Sequence, residues 1–308
     1  MTRRMKIVPG VASQALGARI AAELGCELVS CEFKRFPDGE SYTRIIGDVE
    51  GEHVVVVQSI RSDADLVVLL QLLDAAEGAS KITAVIPYLG YARQDKRFKP
   101  GEAVSIRAIA RSICFSTPAL DSIYVVNVHD HAELRYFQVG VDVHVHELDA
   151  SPSISDYIMK MGIAPASIVV IGPDEGAEEL ARAVATPYGF DYDVLEKKRL
   201  TGDEVEIKPK ELSIDIEGKN VFIVDDIIST GGTIAEATKL LREQNAGDIY
   251  VACVHGLFVQ NAILRMLHAG VKELISTDTV ESLFSRVSIA KLVAKELEPG
   301  LNPGFSDS

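Results

Sequence analysis

The sequence has 308 residues, 47% of them hydrophobic and 25% charged, a balance that suits a folded soluble protein with room for two domains. A net charge of −14 argues against nucleic acid or an anionic membrane as a general partner, since both require a basic face. Phosphorylated metabolites stay open, because backbone amides and a few cations hold a small anion locally.

The N-terminal residues run straight into a short apolar strand without the long apolar core of a signal peptide, and no run is long enough to span a bilayer. Cys26, Cys31, Cys114 and Cys253 have no CxxC spacing and lie in mostly apolar surroundings, so buried reduced thiols and a cytoplasmic location are expected.

Short β-branched runs then alternate with helical periods. A strand is predicted at His53 to Gln58, a helix at Asp63 to Glu77, a strand at Ile82 to Pro87 and a helix at Ala103 to Ile113. The second half repeats the rhythm, with strands at Ser167 to Ile171, Asn220 to Val224 and Ile249 to Val254, and helices at Glu175 to Val184 and Thr233 to Gln244. Turn and helix-start chemistry at Asp149-Ala-Ser-Pro sets a boundary, giving domains 1–148 and 149–308, with the last helix able to pack back on the first. The tail from Glu298 to Ser308 is expected to fray. The fold class is therefore α/β, two similar domains, each a mainly parallel sheet flanked by helices. Apolar runs that end in Gln58-Ser59 and in Asp225-Asp226 hint at a duplicated unit, although buried parallel strands look alike in any α/β protein.

The richest motif is Val221-Phe-Ile-Val-Asp-Asp-Ile-Ile-Ser-Thr-Gly-Gly-Thr233. The amides and hydroxyls of Ser229, Thr230 and Thr233 suit a phosphate at a helix start, and Gly231 and Gly232 allow close backbone approach. Asp225 and Asp226 are placed to accept hydrogen bonds from sugar hydroxyls. For a bare TGGT a plain capped turn is the better reading; the two acids at the strand end make the phosphosugar much the better one. This stretch resembles the phosphoribosyl diphosphate loop shared by type I phosphoribosyltransferases and ribose-phosphate pyrophosphokinases, and the resemblance implies a type I phosphoribosyltransferase-like fold.

Phe36-Pro-Asp-Gly-Glu40 alone reads as a hairpin turn, and Arg93-Gln94-Asp95-Lys96 alone as a solvated charge run. As a pair they resemble the nucleotide-binding elements of ribose-phosphate pyrophosphokinases, which phosphoribosyltransferases lack. That resemblance implies ATP binding by Phe36, Asp38, Gly39, Glu40, Arg93, Gln94 and Asp95, and a hairpin that serves a neighbouring subunit's site in a homo-oligomer. It also implies that His129 and Asp174 position magnesium, where a hydrogen-bonded histidine and a helix cap are the plainer readings. His131 departs from the family's common motif and its role is open.

Glu196-Lys-Lys-Arg-Leu-Thr-Gly-Asp203 reads by itself as a basic patch offsetting an acidic surface. It is similar to the family's mobile catalytic loop, with Lys197 and Arg199 as the catalytic cations, Arg199 also touching ribose 5-phosphate, and its wording resembles the archaeal branch. The implied activity is transfer of a pyrophosphoryl group from ATP to ribose 5-phosphate with Mg2+. A type I phosphoribosyltransferase and a catalytically silent regulatory subunit are the rival expectations.

Overall fold

Valine-rich runs such as His53 to Val57 favour extended backbone, and burying one such side chain fully is worth roughly 1.5–3 kcal/mol, so these runs become the interior of a sheet. The computed structural model describes residues 5–138, 140–201, 204–208 and 212–298, with the backbone alone over 196–201 and 204–208. They divide into two compact units, one of residues 5–149, 279–281 and 289–298, the other of residues 150–278 and 282–288.

The first unit runs β1 (Met5–Pro9), α1 (Gln14–Leu24), β2 (Glu27–Leu28), β3 (Cys31–Arg35), β4 (Ser41–Ile45), β5 (His53–Val57), α2 (Asp63–Ala75), β6 (Lys81–Ile86), α3 (Ser105–Cys114), β7 (Leu120–Val126) and β8 (His144–Leu148). Six of these strands, among the described residues, form a parallel sheet in the order β2-β1-β5-β6-β7-β8, and β3 and β4 make a separate antiparallel hairpin. Val54 to Val57, Ile82, Ile86 and Ile123 are fully buried in it.

The second unit runs α4 (Ser151–Lys160), β9 (Ile168–Gly172), α5 (Glu178–Ala185), β10 (Asp191–Val194), β11 (Glu196–Thr201), β12 (Glu204–Lys208), β13 (Asn220–Ile228), α6 (Gly232–Glu243), β14 (Ile249–Gly256), α7 (Ala262–Ala269), β15 (Glu273–Thr277) and β16 (Ser285–Val287). Its parallel sheet has the order β10-β9-β13-β14-β15-β16, and β11 and β12 form an antiparallel hairpin. The two units therefore share one topology, with a hairpin inserted between the second and third sheet strands of each. Helix α8 (Ala290–Leu297) returns to the first unit and packs beside α1.

Three expectations need correction. The strand expected to stop at Val224 runs on to Ile228, because the long β14 keeps offering a ladder partner: Asp225 pairs with Cys253 and Ile227 with His255. The helix expected from Glu175 opens as a 3-10 turn, Glu175–Ala177, and turns α-helical only at Glu178. Cys114 and Cys253 are buried as reduced thiols, but Cys26 and Cys31 are only half-buried. The expected frayed tail lies outside the described residues beyond Glu298.

In each unit the strand order reverses direction once, between β1 and β5 and between β9 and β13, and ligands of open α/β sheets bind at the carboxyl ends of such strand pairs. In the first unit that position is filled from within the unit. The Glu281 carboxylate accepts the Leu16 amide of α1 at 2.8 Å, and the buried Ser59 hydroxyl donates to the Thr279 carbonyl at 2.6 Å. Helix α2 is likewise closed by its own cap, with Ser62 Oγ accepting from the Asp65 amide and the Asp65 carboxylate held by Arg61. Because Glu281 is the side-chain acceptor at α1's first turn, Glu281→Ala should cost about 1 kcal/mol in urea denaturation and Glu281→Gln much less; equal stability of all three proteins would discount the cap.

Candidate active site

In the second unit, among the described residues, no side chain caps the helix at the reversal point. Strand β13 delivers Asp225 and Asp226 at its carboxyl end, and Ser229-Thr230 lead into α6. The cap residue of α6 is Gly231, with φ of +68° and no side-chain cap bond. A Cβ there would meet Met266 Cγ at 3.1 Å and the Ala262 carbonyl at 3.3 Å in a backbone conformation that side chains disfavour, so glycine is required. The first turn of α6 has no acidic residue, so its N–H groups and partial positive charge face outward unanswered by a local carboxylate.

Asp174 follows β9 across the reversal point. Its Oδ1 accepts from the Gly176 amide at 3.1 Å, which is the capping role read from the sequence. Burial first, then the Asp226 and Asp174 carboxylates, push Asp225 well above the ordinary carboxylate range. Asp174, Asp225, Asp226, Ser229, Thr230, Gly231, Gly232 and Thr233 thus gather along one sheet edge. In the hairpin that precedes β13, the backbone of Lys197 pairs with Ile207 and that of Arg199 with Val205. The side chains of Lys197 and Arg199 lie outside the described residues.

The remaining candidates belong to the first unit. Between β3 and β4, the Phe36 amide donates to the Glu40 carbonyl, the Gly39 amide to the Phe36 carbonyl, and the Asp38 carboxylate accepts the Glu40 amide at 3.2 Å. Gly39 takes φ of +96°, and this tight turn leaves Phe36 50% exposed, edge-on to Tyr42. An aromatic ring held half in solvent by a rigid turn is a ready stacking surface.

The loop holding Arg93, Gln94 and Asp95 is organised by its own neighbours. Glu102 accepts the amides of Phe98 and Lys99, Ser105 bonds Gln94, and Tyr136 donates to the Asp95 carbonyl at 2.6 Å. Arg93 is exposed. Among the described residues no hydrogen bond or ion pair joins this loop to the Phe36 turn, which is anchored instead through Ser41 and Thr43 to Gln71 of α2.

His129 is exposed just past β7, where Asn127 adopts φ of +37°. His131, whose role the sequence left open, makes a 2.5 Å contact with Glu147, which also accepts the Val128 amide. Sequence reasoning missed Glu133 altogether, because a glutamate in a polar stretch carries no sign of burial. It is 2% exposed and its Oε2 has no partner among the described residues. Burial first, with Asp130, Asp95 and Glu147 adding and His129 opposing, holds Glu133 up at about 7.

Two open parallel sheets of one topology, one of them keeping an uncapped helix start beside paired carboxylates, define an α/β protein of the phosphoribosyltransferase class. Residues 5–115 match the family model for the N-terminal domain of ribose phosphate pyrophosphokinase, and residues 154–281 match that for the phosphoribosyl transferase domain. The ribose-phosphate pyrophosphokinase of Methanosarcina acetivorans is 48% identical over 294 residues, covering 96% of this chain and 99% of the relative. Ribose-phosphate pyrophosphokinase 2 of Archaeoglobus fulgidus is 42% identical over 95% of this chain and 100% of its own length. The crystal structure of phosphoribosylpyrophosphate synthetase from Mycobacterium smegmatis matches with a TM-score of 0.80 and 29% identity, over 95% of this chain and 97% of that one. The chain belongs to the ribose-phosphate pyrophosphokinase family.

Glu133 makes stability depend on pH. An ordinary glutamate, as in the unfolded chain, titrates near 4.5, whereas this one titrates near 7 in the folded state. Between these values the folded state binds more protons, so stability should fall as pH rises from about 4.5 to about 7. Glu133→Gln should remove a loss on the order of 2–3 kcal/mol in that window. Chemical denaturation of both proteins at pH 5 and pH 8 measures it, and parallel curves would refute the assignment.

Proposed function

We propose that this chain transfers the pyrophosphoryl group of ATP to the C1 hydroxyl of ribose 5-phosphate, giving 5-phosphoribosyl 1-diphosphate and AMP. The observation that carries this reading is the open α6 N-terminus beside Asp225 and Asp226, in a chain whose relatives over nearly its full length are named ribose-phosphate pyrophosphokinase. The C1 oxygen attacks the β-phosphorus in line, and the bond from that phosphorus to the oxygen retained by AMP breaks. Such a transfer depends on positioning and charge neutralisation more than on covalent chemistry by the protein.

Ser229, Thr230, Gly231, Gly232 and Thr233 cradle the 5-phosphate, and Asp225 and Asp226 accept hydrogen bonds from the ribose hydroxyls. Phe36, Asp38, Gly39 and Glu40 recognise adenine, and Arg93, Gln94 and Asp95 hold the nucleotide's phosphates or ribose. Lys197 and Arg199, on the β11–β12 hairpin, close over the substrates, exclude water and cover the charge that develops.

Magnesium fits the donors present. Asp174, Asp225 and Asp226 are hard oxygen donors whose mutual repulsion a cation would relieve. Among the described residues no group of three or more His, Cys, Asp or Glu is placed to hold a metal unaided, and magnesium carried on substrate phosphates takes only one or two protein ligands. His129 and Asp174 are those proposed here, and the ion would screen the phosphates' negative charge.

The exposure of Phe36 and the anchoring of its turn to α2 fit a hairpin that serves a neighbouring subunit, so the active form is a homo-oligomer. Among the described residues no helix is long and apolar enough to cross a membrane, and a cytoplasmic enzyme is proposed.

Phosphorus NMR of the protein with ribose 5-phosphate, ATP and magnesium, against a sample lacking the sugar, tests the reaction. Sugar-dependent AMP together with phosphoribosyl diphosphate is expected, and ADP would instead mean an ordinary kinase. No turnover would favour a silent subunit or a transferase, separable by supplying phosphoribosyl diphosphate and candidate bases. Lys197→Ala should lower turnover on the order of a hundredfold or more with substrates still bound. Phe36→Ala should raise the KM for ATP about tenfold and leave that for ribose 5-phosphate unchanged; equal effects on both would place Phe36 elsewhere.

A further inference from the structure

The loop that opens α6 is braced along one side by the segment after β14. The Ile228 carbonyl accepts from the amides of Leu257 and Phe258 at 3.0 and 3.1 Å, and the Ser229 carbonyl from the Val259 amide at 3.0 Å. The third carbonyl in the row, that of Thr230, has a different partner: Arg265 of α7 donates to it through Nη1 at 2.7 Å. In a trans peptide the carbonyl and the following N–H point in opposite directions, and the described residues contain no cis bond. Pinning three successive carbonyls toward the 257–265 segment therefore turns the N–H groups of Ser229, Thr230 and Gly231 away from it. Among the described residues none of these three N–H groups has an acceptor. Three adjacent amides turned to one side form an anion nest.

The bracing segment is itself held in an unfavourable conformation. Phe258 and Gln260 adopt φ of +45° and +56°, which costs residues with a side chain of order 1–2 kcal/mol each. Arg265 is also oddly placed electrostatically. Its Nη1 stands 3.8 Å from where a Cβ on Gly232 would be, so a guanidinium sits at the positive end of the α6 dipole. A cation there is unfavourable unless an anion shares the position.

We infer that Arg265 is a positioning residue for the sugar phosphate: it fixes the Thr230–Gly231 peptide so that the Gly231 N–H points at the 5-phosphate, and its charge completes the anion site from the outer side. The inference rests on the reaction proposed above, and it singles out the one brace in the row that a side chain supplies and substitution can remove.

The test compares wild type, Arg265→Ala, Arg265→Lys and Leu264→Ala, an exposed neighbour on the same helix serving as control. Arg265→Ala should raise the KM for ribose 5-phosphate about tenfold, as expected when the Gly231 N–H is no longer held toward the phosphate, with the KM for ATP unchanged and kcat within about threefold. Arg265→Lys should recover part of the loss, and Leu264→Ala should match wild type. An unchanged KM for ribose 5-phosphate, or an equal rise in both KM values, would overturn the inference, because a general disturbance of the fold does not discriminate between substrates. Calorimetric titration of each protein with ribose 5-phosphate separates this from the reaction itself. Wild type that binds the sugar phosphate without converting it would refute the reaction, while about tenfold weaker binding by Arg265→Ala would still uphold the positioning role. Wild type that binds none would overturn both.

Discussion

A helix that begins at the carboxyl end of a parallel strand exposes N–H groups that need an acceptor, and everything distinctive in this molecule follows from how each helix start meets that need. In the first unit the chain supplies the acceptors: Glu281 for α1, and Ser62 with Asp65 for α2. In the second unit α6 begins at a glycine, has no acid in its first turn and is reached by a braced loop whose amides turn outward. One topology thus carries a closed helix start and an open one. The difference resides in a few side chains, so two units of one outline differ at the helix start where a ligand would be met.

The inserted hairpins extend the parallel. The turn that presents Phe36 and the hairpin that carries Lys197 and Arg199 occupy the same topological position, between the second and third sheet strands of their respective units. The same insertion carries different residues in the two units, an exposed aromatic ring in one and the Lys197 and Arg199 positions in the other, and the roles proposed for them differ accordingly. The sheet supplies the fixed frame in both, and the variable chemistry rides on the hairpin.

Much of this was legible from residue order because parallel sheets write themselves as apolar runs and helix starts as small or polar residues. Val54 to Val57 and Val221 to Val224 announced their strands, and Gly231-Gly232 announced a close-approach loop. What stayed hidden depends on partners distant in sequence. Asp225 and Asp226 read as acids closing a strand that stops at Val224, since nothing local tells that β14 will extend the ladder past them. Arg265 and Glu133 are a mid-helix arginine and a surface-like glutamate until the fold brings the Thr230 carbonyl to one and buries the other. Glu281 lies 265 positions from the helix it caps, beyond the reach of any motif.

The return of α8 and residues 279–281 to the first unit has a consequence for synthesis on the ribosome. A unit whose opening helix is covered by α8 and capped by Glu281 cannot complete its packing until the chain between them has been made. Strands β9 to β15 of the second unit's sheet are translated before Glu281 and β16 just before α8, so most of the second unit can assemble before the first is complete, although it begins later. The growing chain meanwhile carries α1 with an apolar face exposed. Chaperone demand during translation should therefore fall on the amino-terminal half, an order opposite to the usual one in which the earlier domain folds first.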